Sequence, residues 1–88
     1  MNFDNTLNLA IQRSPRLSGA SAADKLQVTR TTFSRWVRWR ETGKFPGEDK
    51  IQPLAELTGL PINKVYFAVM AAKCGITEIQ QELEALAA

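Results

Sequence analysis

Residues Thr29–Arg40, TRTTFSRWVRWR, constrain this chain more than any other stretch. Wound as an α-helix at about 100° per residue, Phe33, Trp36, Val37 and Trp39 gather on one side. Arg30, Thr31, Ser34, Arg35 and Arg38 fill the other. The first side is aromatic and needs a core. The second carries arginines and hydroxyls and no carboxylate. A helix of this kind is anchored in a small domain and turns its basic face to a polyanion.

The 88-residue length suits one domain with a modest core. The net charge of +2 conceals an uneven distribution. Between Lys25 and Lys44, six bases face Glu41 alone, a local balance of +5. From Phe45 onward three lysines face six carboxylates, a balance of −3. This asymmetry predicts an anion-binding surface on one side of the domain. Cys74 is the only cysteine and histidine is absent, which argues against a disulfide, a zinc site and a ready general base. No glycine-rich phosphate loop or paired-carboxylate motif stands out, so the expectation is a non-enzyme without cofactor, metal or small-molecule ligand. Phe3–Ile11 is broken by Asp4, Asn5, Thr6 and Asn8 and lacks a basic start, unlike a secretory leader, and no apolar run approaches a membrane span. The expected setting is cytoplasmic.

The pattern along the chain is all-α. Asp4 or Asn5 is the expected cap of a first helix reaching about Arg13, with Phe3, Leu7, Ala10 and Ile11 inward. Pro15 stops it. Ser18, with Ser21 as rival, caps a short second helix over about Gly19–Leu26, where Ala22, Ala23 and Leu26 form the apolar side. Gln27-Val28 is a tight turn and Thr29 caps the third helix. Two helices so closely spaced must cross steeply, as in a helix-turn-helix. Glu41–Gly47 reads as a loop. A fourth helix covers about Glu48–Thr58, and either starts as late as Lys50 or bends at Pro53. A fifth, about Ile62–Lys73, is apolar nearly all round, which predicts one side on the core and one on a partner chain. Thr77 with Gln80 reads as a capping box for a last helix reaching about Ala87, with Ile79, Leu83 and Leu86 as its stripe.

Ala23 through Trp36, ADKLQVTRTTFSRW, resembles the helix-turn-helix signature of the phage Cro/CI repressor-like superfamily. Ala23, Val28, Thr29, Phe33 and Trp36 occupy the small, apolar, capping and anchoring positions of that pattern. Leu54–Leu60 is similar to the family's following helix and glycine turn, and Asn63–Ala87 resembles the tail of small filamentous-phage regulators. The turn position that the family usually fills with glycine is Gln27, and the loop Arg40–Gly47 is longer and more basic than usual. The resemblance implies a lambda-repressor-like five-helix domain, core about 3–73, with an extra C-terminal helix about 77–87 suited to dimerisation.

It further implies that Thr29–Arg40 lies in the major groove of double-stranded DNA. Thr29, Arg30, Thr31, Ser34 and Arg35 are then the candidate base contacts, since arginine grips guanine O6 and N7 and hydroxyls reach base edges or thymine methyls. Arg16, Ser18, Arg38, Arg40 and Lys44 are the candidate backbone contacts. Phe67, Met70, Ile79, Leu83 and Leu86 are the candidate dimer contacts, because such modules commonly bind two half-sites of a palindromic operator. The function implied is that of a homodimeric transcriptional repressor of phage or prophage type. Two alternatives use the same residues differently: an excision or DNA-architectural accessory factor, and a module whose apolar C-terminal helices bind another regulator.

Overall fold

The structure is a computed structural model describing residues 2–88. Seven helices follow one another, with no strand among the described residues: α1 (Phe3–Gln12), α2 (Gly19–Lys25), α3 (Arg30–Val37), α4 (Trp39–Thr42), α5 (Glu48–Thr58), α6 (Ile62–Lys73) and α7 (Thr77–Ala87).

Side chains at the helix starts set the boundaries. The Asn5 N–H donates to Asn2 Oδ1 at 2.8 Å, so Asn2 caps α1, and not Asp4 or Asn5 as the sequence suggested. The reason is that the helix begins early enough to bring Phe3 into the core. Ser18 Oγ accepts from Ser21 N–H at 3.1 Å and caps α2, which settles the choice against Ser21. Thr29 Oγ1 accepts from Thr32 N–H at 3.0 Å and caps α3. Between α2 and α3 the Val28 N–H reaches the Ala23 carbonyl and the Gln27 N–H the Asp24 carbonyl, at 3.0 and 3.1 Å. This six-to-one and five-to-two pair is a Schellman motif, and it requires Gln27 to be left-handed, at φ 57°.

The basic stretch is not one helix to Arg40. It breaks at Arg38 (φ −98°, ψ 36°), and a separate turn of helix, α4, follows. Thr42 Oγ1 donates to the Arg35 carbonyl at 2.7 Å across the break. The break swings Trp39 onto Phe3 and Phe45, with ring centroids 6.4 and 5.7 Å apart. Val37, expected in the core, is left 44% exposed. The loop therefore begins at Gly43 (φ 64°) and not at Glu41.

The core joins Phe3, Leu7 and Ala10 of α1, Ala22, Ala23 and Leu26 around α2, Phe33 and Trp36 of α3, Leu54 of α5 and Val65 and Val69 of α6. Ala23 is fully buried, as a close helix crossing demands. The buried hydroxyls of Thr6, Ser14 and Thr58 each donate to the carbonyl four residues back, so none is stranded. The α5 helix starts at Glu48 and passes through Pro53, leaving only the Asp49 carbonyl near its start without a helical donor.

The last helix turns back along α6. Gln80 Nε2 donates to the Ala71 carbonyl at 3.0 Å and Lys64 Nζ to the Leu86 carbonyl at 2.8 Å, so α6 and α7 run antiparallel. Gln80 thus serves the end of α6 and forms no capping box with Thr77, and Ile76 precedes the helix without a side-chain cap. Within the chain, α7 covers part of the surplus apolar surface of α6, with Ala87 buried in the contact. The radius of gyration is 12.1 Å, close to the ~12 Å of a compact chain of this length. No helix among the described residues is long and apolar enough to cross a membrane.

Candidate nucleic-acid interface

The α3 helix is held from behind. Phe33 and Trp36 are 2% and 4% exposed, and their rings lie 6.0 Å apart. That anchoring leaves Arg30, Thr31, Ser34 and Arg35 exposed over the first two turns. All four candidates are thus brought together on one helix face. Thr29 is also exposed, but its hydroxyl is committed: it accepts from Thr32 N–H and donates to Thr32 Oγ1 at 2.9 Å.

The candidate backbone residues separate into three places. Arg16 and Ser18 lie in the connection before α2, where they line a cleft of about 330 Å³ with Lys25 and Arg30. Ser18 spends its hydroxyl on the α2 cap. Arg38 is exposed at the break after α3, and Lys44 is exposed beyond α4 with its backbone N–H on Thr42 Oγ1. Arg40 is elsewhere. Its guanidinium grips Asp4 through both terminal nitrogens, at 2.7 and 3.3 Å, and stacks over Trp39 with its centre 4.2 Å from the ring. Trp39 Nε1 donates to the same carboxylate at 2.9 Å.

Electrostatics follow this division. The Arg40 guanidinium holds the Asp4 carboxyl below the usual carboxylate range; the Trp39 N–H adds to this and partial burial opposes it. Asp4 in turn raises Arg40. Among the described residues this is the single ion pair, so Arg16, Lys25, Arg30, Arg35 and Arg38 carry uncompensated charge. Lys25 is the residue that motif reasoning passed over. It had been counted in the basic stretch, but only the packing of α2 against α3 shows that it shares a cleft with Arg16 and Arg30.

The candidate dimer residues form a second surface. Phe67 and Met70 are half-buried on α6; Ile79 and Leu86 are 44% and 51% exposed on α7, with Leu83 half-buried between them. On antiparallel helices the 3.6-residue period puts all five on the same side of the hairpin. The opposite side, with Ala72 and Glu84, faces Asp4, Trp39 and Arg40 across a small cavity of about 90 Å³.

Comparison with protein-family models, with curated proteins and with solved structures finds no match to this chain.

Proposed function

We propose that this protein is a sequence-specific, DNA-binding transcriptional regulator with a lambda-repressor-like helix-turn-helix. In this reading α1, α2, α3, α5 and α6 form the five-helix plan, α4 is a short extra turn, and α7 is an added helix. The protein acts as a homodimeric repressor of phage or prophage type that occupies a palindromic operator.

One observation carries the reading. The α3 helix buries Phe33 and Trp36 and leaves Arg30, Thr31, Ser34 and Arg35 exposed on its N-terminal turns, with neither arginine in an ion pair among the described residues. The N-terminal part of a recognition helix is what reaches base edges in the major groove. The Schellman turn and the buried Ala23 let α2 cross α3 closely, which fixes the angle at which that face is presented. Arg16, Lys25 and Arg38 flank it and suit phosphates, which orient the protein without reading sequence.

The test is selection of bound duplexes from a random pool, followed by a salt titration. The expected outcome is an enriched palindrome whose half-sites lie about one helical turn apart, with binding that weakens by several counterions' worth as salt rises. A pool without enrichment, together with salt-independent retention, would overturn the proposal.

A further inference from the structure

Val37 is the apolar residue that the core leaves behind. It closes α3, a helix whose two aromatic side chains, Phe33 and Trp36, are buried. Helical period sets Val37 next to Phe33, and a core position would follow if the stripe ran on through Trp39. The break at Arg38 removes that continuation. Trp39 turns to Phe3 and Phe45, and Val37 is left exposed, apart from the core and from the partly buried side chains packed on it. Local structure gives no reason for valine there. At an exposed helical position a β-branched side chain has lower helix propensity than alanine, leucine or arginine.

The helix itself fixes what lies around it. Arg30, Ser34 and Val37 stand at i, i+4 and i+7 of α3, so they form one row, within about 60° of each other around the axis. Thr31, Arg35 and Arg38 form a second row beside it, and every member of both rows is exposed. None of the three arginines is in an ion pair among the described residues. The exposed face of α3 is therefore guanidinium and hydroxyl with one apolar side chain at the end of a row. A run of phosphates would match the arginines and leave the valine unused. The major-groove edge of base pairs matches both, because it is polar throughout except for the C5-methyl of thymine. From Arg30 to Val37 the helix rises about 10 Å, or about three steps of ~3.4 Å along a strand. We infer that Val37 is a specificity-determining residue whose methyls rest on the C5-methyl of a thymine, up to about three base pairs from the base that meets Arg30. The inference rests on the DNA-binding reading above and extends base recognition to the last turn of α3.

The experiment removes the methyl from either side of the contact. Wild type and Val37→Ala are titrated across a salt series with a duplex selected from the random pool, and with copies in which each thymine in turn is replaced by deoxyuridine. Thermal unfolding of both chains is measured alongside. Val37→Ala is expected to bind the selected duplex roughly three- to tenfold more weakly with the salt slope unchanged, because an apolar contact releases no counterion. In the wild type, deoxyuridine at one thymine of each half-site should cost a similar factor. In Val37→Ala the same replacement should cost nothing further, since the two changes remove one contact. Val37→Ala should melt no lower than the wild type, because the position is exposed and alanine is the better helix former. Three results would overturn the inference and leave DNA binding standing: wild-type affinity in Val37→Ala, no thymine whose methyl matters to the wild type, or an equal cost of methyl loss in both chains. A lowered melting temperature with unchanged affinity would assign Val37 to packing and overturn it likewise. A wild-type chain without salt-dependent binding would overturn the inference and the DNA-binding reading together.

Discussion

Asp4 concentrates three interactions on one carboxylate, and their sign fixes a pH dependence. Its folded pKa lies below its unfolded value because Arg40 and Trp39 both favour the charged form. Below about pH 4 the unfolded chain therefore binds this proton more readily than the folded one. The stabilisation is complete above that range and is lost as pH falls through the folded pKa. Asp4→Asn keeps an acceptor for the Trp39 indole but removes the charge, so the variant should lose stability near neutrality and show a shallower acid limb in thermal melts between about pH 5 and 2. An acid limb parallel to the wild type would exclude Asp4 from that role. A second residue-scale prediction concerns Gln27, which is exposed and left-handed. Gln27→Gly relieves an unfavourable φ at the expense of extra freedom in the unfolded chain, a net gain of about 0.5–1 kcal/mol measurable by urea or thermal unfolding. The Ser18 and Thr29 caps were legible in the sequence because a hydroxyl at the edge of a helical pattern has a local use. The Arg40–Asp4 pair was not, because its partners are 36 residues apart and no spacing rule connects them. Arg40, a candidate DNA-backbone contact by sequence, engages a carboxylate and an indole within the chain while its side chain stays exposed.

Among the elements, α3 divides what pattern can and cannot reveal. Its two faces were readable because burial of Phe33 and Trp36 follows directly from helical period. Its end was not. The apolar stripe continues past Arg38 to Trp39, and the period is first broken at Arg40, which falls among the apolar residues, so the break at Arg38 itself is unmarked. The break follows from tertiary competition, in which the Trp39 indole N–H gains an acceptor on Asp4 and its ring a contact with Phe45. One consequence is that α3 reaches only to Val37, so Arg38 projects from a helix end while Arg35 remains on the helix proper. Under the proposed DNA-binding function, this arrangement gives the two arginines different roles. Arg35→Ala should cost about 1–3 kcal/mol on a selected operator and relax preference at one base pair, whereas Arg38→Ala should weaken operator and random DNA alike. Competition binding with both DNAs distinguishes them, and an equal loss on random DNA for Arg35→Ala would make it a phosphate contact. Pro53 shows the converse limit. Sequence left a late start and a bend both open, and Glu48 begins the helix because Glu48 and Asp49 suit its N-terminal dipole while the proline costs a single carbonyl its donor.

At the scale of the whole molecule, the α6–α7 hairpin determines which surfaces remain for a partner. An α6 helix apolar nearly all round implied two buried sides, and α7 supplies cover for one flank within the chain. The order of the helices could not show this, because a terminal helix with a narrow stripe packs equally well on its own domain or on a neighbour. What the hairpin leaves uncovered is specific: Ile79 and Leu86 project beyond α6, with Phe67, Met70 and Leu83 lining the same side. A second copy applied there by two-fold symmetry would match this surface with itself. The side of the hairpin toward Trp39 already faces α1 and α4 across a small cavity. If this face joins two copies, charge placed on it must separate them. Phe67→Glu and Leu83→Glu should do so, but both side chains are half-buried and their replacement also threatens the fold. Ile79→Glu and Leu86→Glu provide the cleaner comparison, since both side chains are exposed in the single chain, at 44% and 51%. These two variants should keep wild-type helicity, sediment at half the wild-type mass, and bind an isolated half-site as the wild type does while losing the advantage of a paired site. An unchanged mass in both would move the contact away from the hairpin, toward the groove between α5 and α6 where Ile62 and Tyr66 are exposed.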